Sequence, residues 1–146
     1  MKKFTDLNTV KEFTRKHYVI DANGKILGRL AQEVAKTLRG KGKPFFSYHR
    51  DLGDHVVIFN AEKIKVTGRK LKEKIYTSYS GYPGGLTKIT LEKLLAEQPE
   101  KVVQHAVRGM LPKTPLGRKL YGKLKVFRGD KLPFGTKGME VLEITS

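Results

Sequence analysis

Four cations set among two prolines and two glycines give the stretch Ala106 to Leu120, AVRGMLPKTPLGRKL, the most legible chemistry in the chain. Arg108, Lys113, Arg118 and Lys119 carry the charge, Pro112 and Pro115 fix φ, and Gly109 and Gly117 allow another backbone to come close. The charges therefore stand on a stiff corner rather than a flexible loop. Cations held in place beside approachable backbone neutralise and fit phosphates, so the corner offers polyanion binding. Two further basic, glycine-containing loops repeat the theme: Arg39-Gly40-Lys41-Gly42-Lys43-Pro44, and Gly68 to Lys74 with Arg69 at its start. The aromatics after the first of these, Phe45, Phe46 and Tyr48, have faces that stack on bases. Such residues more often bury their area, and all three are expected in the core or half-buried.

Other chemistries fit less well. Gly117-Arg118-Lys119-Leu120-Tyr121-Gly122-Lys123-Leu124 approaches the phosphate-loop pattern G-x-x-x-x-G-K-[ST], but Leu124 has no hydroxyl for magnesium and the segment follows Pro115 on a predicted helix instead of leaving a strand. His49-Arg50-Asp51-Leu52-Gly53-Asp54-His55 collects two imidazoles and two carboxylates, yet at no standard metal-site spacing. It is expected to be a turn in which Asp51 and Asp54 bond local backbone around Gly53. His17 and His105 stand alone and need no special role. There is no cysteine and no G-x-S-x-G elbow, so no catalytic residue, metal ligand or cofactor is expected.

The composition points the same way. Lys and Arg number 30 against 14 Asp and Glu, a net charge of +16 with a pI near 10.1, and so much self-repulsion asks for an anionic partner. Residues 1 to 50 carry 12 basic and 4 acidic groups, 51 to 100 carry 8 and 7, and 101 to 146 carry 10 and 3. A nearly neutral centre between basic ends fits a packed domain that presents positive faces. A chain of 146 residues suits one domain that buries roughly 68–70% of its unfolded surface, enough for a core without metal or disulfide. The run after Met1-Lys2-Lys3 is too polar for a signal peptide, and Val56 to Phe59, the longest strongly apolar run, is too short to cross a bilayer. The expectation is a soluble, intracellular protein with no membrane partner and no small-molecule substrate.

The elements that must position these charges follow from periodicity. Residues 1 to 15 show no period and are expected to form an arm. His17 to Asp21 reads as a strand, Ala22 to Lys25 as a turn, and Leu27, Leu30, Ala31, Val34 and Leu38 as the buried stripe of a helix that Gly40 stops. His55 to Asn60 contains the continuous apolar run of a strand covered on both faces. Strand, helix and covered strand make a βαβ unit, so an α/β domain is expected. Arg69 to Lys74 reads as a solvated loop, Ile75 to Thr77 as the start of a strand, and Ser80 to Leu86 as irregular. Thr90 is placed to cap a helix carrying Leu91, Leu94 and Leu95; Pro99 opens another with a stripe at Val102, Val103, Ala106, Val107 and Met110. Leu116, Leu120 and Leu124 repeat every four residues, Lys125 to Arg128 reads as a last strand, and residues 129–146 as an extended tail around an α/β core at 16–128.

Four stretches together carry a resemblance to a known family: DANGKILGRL at 21–30 with Leu38-Arg39-Gly40-Lys41 downstream, GDHVVIFNAEKIKVTG at 53–68, SGYPGGL at 80–86, and AVRGMLPKTPLGR at 106–118. In this order they make the chain similar to the bacterial large-subunit ribosomal protein L thirteen family. The resemblance implies a three-layer α/β/α domain around a mainly parallel, Rossmann-like open sheet with extended terminal arms. It implies a structural place in the large ribosomal subunit, an early part in its assembly, rRNA and neighbouring ribosomal proteins as partners, a cytoplasmic setting, and no enzymatic activity. It assigns rRNA contact to Arg29, Arg39, Lys41, Lys43, Arg69, Arg108, Lys113 and Arg118, with Lys119 beside them in the corner and Gly84 and Gly85 as positions of close backbone approach. The sequence departs from the family at Tyr79, where relatives often carry histidine, and in the tail from Leu132 to Lys137. The readings from other classes are a small nucleotide-dependent α/β enzyme and a nonspecific DNA-binding protein.

Overall fold

The computed structural model describes residues 14–130 and 139–142, so most of the expected N-terminal arm and most of the tail lie outside the described residues. The chain runs β1 (His17–Asp21), α1 (Leu27–Arg39), β2 (His55–Phe59), a single 3-10 turn (Ala61–Lys63), α2 (Lys70–Glu73), β3 (Ile75–Tyr79), β4 (Leu86–Thr90), α3 (Leu91–Glu97), α4 (Pro99–Met110), α5 (Pro115–Tyr121), β5 (Leu124–Val126) and β6 (Glu140–Val141). Four strands form one sheet in the order β5-β2-β1-β6, with every described pairing parallel. The α/β class and the mainly parallel sheet are those the sequence predicts.

The register puts Ile20 opposite Ile58, Val56 opposite Leu124, and Ile58 opposite Val126. Because side chains alternate along a strand, these residues share one face. That face packs against the buried stripes of α1, α3, α4 and α5 in one cluster, with Leu30, Leu38, Ile58, Leu91 and Leu120 almost wholly removed from water. Burying each such side chain is worth about 1.5–3 kcal/mol, which makes this cluster the anchor for the helices. α4 lies against both α1 and α3.

Local chemistry explains where these elements stop. Gly40 takes a left-handed φ of 73°, and the Lys41 N–H reaches back to the Lys36 carbonyl at 3.1 Å, the six-to-one bond that ends α1. Gly53 packs so closely on the end of the same helix that a Cβ there would strike the Leu38 carbonyl. Pro99 and Pro115 occupy the first turns of α4 and α5, where no amide hydrogen is missed.

Several expectations change. The basic loop from Arg69 to Lys74 contains the short helix α2. The glycine-rich turn ends at a strand, β4, which pairs antiparallel with β3 in a separate hairpin. Thr90 precedes α3 but its hydroxyl makes no capping bond, and the Leu91 N–H donates to the Lys74 carbonyl at 2.8 Å. Leu124 belongs to β5 and not to a continued helix. Within the predicted tail, Glu140–Val141 add a parallel edge strand to β1, where the Lys16 ammonium sits 2.8 and 3.2 Å from the Glu140 carboxylate oxygens. That carboxylate raises the Lys16 pKa, and burial raises that of Tyr18 beside it.

Candidate nucleic-acid interface

The corner is built by the end of α4, a short turn, and α5. The buried valines of α4, Val102, Val103 and Val107, hold it to the core, so Arg108, Gly109 and Met110 emerge at its far end. Met110 closes the apolar stripe in the sequence, yet it is 46% exposed, and the core contact at this end of α4 is made by Leu111, 5% exposed, instead. The chain then turns through Leu111 and Pro112. Thr114 caps α5 by accepting the Gly117 N–H at 3.4 Å, and Gly117 lies so close to the Pro112 carbonyl that any Cβ would collide with it. The stiffness expected of the corner thus has a packing cause, and Leu120, 1% exposed, nails its other side to the core. Arg108, Lys113, Arg118 and Lys119 are all exposed.

Between α4 and α5 runs a groove of about 640 Å³, with Arg108, Lys113 and Arg118 on its walls beside Gly109, His105 and Tyr121. His105 is held at its rim by Tyr76 of β3, with ring centroids 5.5 Å apart. Neither His105 nor Tyr121 stands out in the sequence, since each is a single aromatic ring in an unremarkable helical position.

The loop after α1 approaches from the other side. Arg39 lays its guanidinium 5.7 Å from the Phe46 ring centroid and 5.3 Å from that of Tyr48, which themselves meet edge to face at 5.2 Å. Stacking of this kind orients a guanidinium and keeps its charge. The expectation that the aromatics would be in the core or half-buried holds for Phe46, but Tyr48 is 76% exposed and Phe45 lies open as well. Arg39 and Lys41 line a smaller depression of about 190 Å³ that Met110 also borders. Arg39 and Lys41 therefore border the exposed Met110 at the end of α4, although about seventy residues separate them from it in sequence. The packing of α4 on α1 makes this juxtaposition.

Lys43 differs from its neighbours. Its ammonium turns inward, 2.6 Å from Asp54 Oδ1 and 2.9 Å from the Leu52 carbonyl, and it braces the loop. Arg29 lies on the exposed side of α1. Arg69 precedes α2, at the opposite end of the β3–β4 hairpin from Gly84 and Gly85. Gly84 has a left-handed φ of 76° with open space around it, while Gly85 is packed against the Ser80 hydroxyl. Arg29, Arg69, Gly84 and Gly85 line neither the groove nor the depression beside Met110.

The acidic cluster before β2 serves the fold. Asp54, 3% exposed, accepts from the Lys16 backbone N–H at 3.0 Å as well as from Lys43. Asp51 pairs with Lys123, whose ammonium also donates to the Gly53 carbonyl at 3.1 Å, and with Arg15 at 3.4 Å. Both carboxylates thus bind distant cations, not the local backbone that the sequence suggests. The lysine of the phosphate-loop pattern lies between α5 and β5 and is held inside the protein by Asp51, and most of the pattern before it is helix α5 and not a loop. His17 and His55 stack across β1 and β2 with centroids 4.6 Å apart, and burial, His17 and nearby Lys123 and Arg15 hold the His55 pKa below its ordinary value, with Asp51 opposing. Among the described residues no group of His, Cys, Asp and Glu could hold a metal ion. No helix there is long and apolar enough to cross a membrane.

This divides the cations by use. Lys16, Lys43, Lys123 and Arg15 have carboxylate partners, whereas no described carboxylate pairs with Arg39, Lys41, Arg108, Lys113, Arg118 or Lys119. Arg39, Arg108, Arg118 and Lys119 lie in last turns of helices, where a cation complements the helix dipole. That local benefit leaves their outward charge available.

Comparison with known proteins gives a consistent answer. The family model described as ribosomal protein L13 matches residues 15–133. The large ribosomal subunit protein uL13 of Thermus thermophilus is 54% identical over 134 residues, covering 92% of this chain and 96% of that protein. The protein of the same name from Synechocystis is 54% identical over 142 residues, 97% of this chain and 94% of that one. That of Azotobacter vinelandii is 52% identical over 145 residues, 99% of this chain and all of that one.

Proposed function

The chain belongs to the ribosomal protein L13 family, and we propose that it binds folded large-subunit rRNA through the surface around Met110 and joins the subunit early in its assembly. It is a structural constituent of the large ribosomal subunit and not an enzyme. Its partners are those of a ribosomal protein, rRNA and neighbouring proteins, and its place is the ribosome, hence the cytoplasm of a bacterium.

The observation that carries the proposal is a pair of basic sites that share the end of α4: Arg39 and Lys41 in the depression that Met110 borders, and Arg108, Lys113 and Arg118 on the groove that Gly109 and Leu111 line, none with a described carboxylate partner. Cations brought together without carboxylate partners repel one another, and a bound polyanion offsets that repulsion. Their rigid mounting favours a folded RNA of fixed shape over a uniform duplex, because geometry that does not move discriminates between shapes. Lys119 extends the surface along α5; Arg29, Arg69, Gly84 and Gly85 are assigned to secondary contacts with rRNA or neighbouring proteins, and Lys43 supports the loop that carries Lys41. Crosslinking of protein to RNA in purified large subunits tests this. Crosslinked peptides should come from 39–48 and 105–121, and crosslinks confined to the hairpin or to α3 would overturn it.

A further inference from the structure

Two glycines stand in the basic corner, and the fold needs only one of them. A Cβ on Gly117 would strike the Pro112 carbonyl, so the chain itself demands glycine there. Gly109 lies in the last turn of α4, where its φ is not positive, and a Cβ on it would meet nothing within 4 Å. Glycine is the poorest helix former after proline, and an exposed helical position that tolerates any side chain is where the chain gains least from it. What distinguishes Gly109 is its place on the wall of the groove, beside Arg108 and facing Lys113 and Arg118.

We infer that the groove between α4 and α5 is a site for a single unpaired nucleotide of rRNA, whose sugar-phosphate backbone passes over the bare helix at Gly109 while its base lies between His105 and Tyr121. This rests on the rRNA-binding reading and specifies the ligand at its centre. The volume of about 640 Å³ lies within the roughly 300–1,000 Å³ typical of sites for small organic ligands. A concave site of that size excludes a duplex but accepts a nucleotide splayed from its stack. The three cations supply charge for its phosphates, and the two rings at the rim supply π faces for its base. Tyr76 keeps His105 in position through the contact between their rings. Glycine at 109 lets the backbone approach within the depth that a methyl group would occupy.

The test compares Gly109→Ala, the triple variant Arg108→Ala, Lys113→Ala, Arg118→Ala, and the parent, each full length, on particles of large-subunit rRNA assembled without this protein. Thermal melting, affinity against salt, and base-specific chemical footprinting are read together. Gly109→Ala should melt at the parent's temperature or higher and bind about tenfold more weakly. Its salt slope should not change, because every cation that neutralises a phosphate is still present, and it should lose protection of a discrete unpaired base that the parent shields. If Gly109→Ala binds and protects like the parent while the triple variant is weakened, the nucleotide site is refuted and the rRNA-binding surface stands. If both variants behave like the parent, both readings fall. A lower melting temperature for Gly109→Ala would show that the fold requires this glycine, and would also overturn the inference.

Discussion

Lys123, at the entry to β5, forms an ion pair with Asp51 across 72 residues of sequence, and the same ammonium donates to the Gly53 carbonyl at 3.1 Å. Its side chain is only 9% exposed. The lysine that most nearly imitates a nucleotide-binding residue therefore clamps the loop before β2 to the strand beside it.

Removing one partner of such a pair leaves the other charge poorly solvated. Lys123→Ala should cost about 2 kcal/mol, below the range for fully buried pairs because Asp51 keeps 24% of its side-chain surface in water. Urea denaturation measures it; a loss near zero would mean that the pair contributes little to stability.

His55 gives a pH dependence with a definite sign. Its pKa in the folded protein lies below the ordinary value of 6.5, chiefly through burial and then through His17, Lys123 and Arg15. Below neutrality the unfolded chain binds more protons at this position than the folded one, so stability is full above about pH 7 and falls as pH drops through 6.5 toward the folded pKa. His55→Gln should flatten this change between about pH 7.5 and 5.5. Denaturation midpoints at the two pH values decide it, and an equal drop in parent and variant would exclude His55 as the source.

Gly53→Ala puts a methyl group against the Leu38 carbonyl at the end of α1. Since backbone must move to relieve the clash, a loss of about 3 kcal/mol is expected. Gly42→Ala, with open space at its Cβ, should stay within about 0.5 kcal/mol of the parent. Similar melting temperatures for the two variants would contradict this account of the β2 entry.

The triple alanine variant at Arg108, Lys113 and Arg118 changes only exposed side chains. It should fold like the parent, but its rRNA affinity should fall less steeply with salt, by about 0.7–0.9 in log-log slope for each phosphate that is no longer neutralised. An unchanged slope would remove the corner from the RNA surface.

β1, α1, β2, α4 and their ends were legible in the sequence, because each is written locally. Val34 and Leu38 fall on one helical face, Gly40 supplies the left-handed residue that ends α1, and Pro99 opens α4. The basic character of the corner could be read for the same reason, since charge, proline and glycine act where they stand. The family was readable too, from four motifs in order.

Which cations face outward without a carboxylate came instead from packing. Lys41 and Lys43 are two residues apart in the same loop, yet one faces water and the other meets Asp54, because the end of α1 sets that lysine above a buried carboxylate. Likewise, nothing between residues 39 and 110 in sequence announces that Arg39 and Met110 border one depression; the packing of α4 on α1 brings them there. Pairings of this kind depend on distance in space, which a local pattern does not encode. Gly109 and Gly117 read alike in the sequence, and only the carbonyl of Pro112 tells them apart.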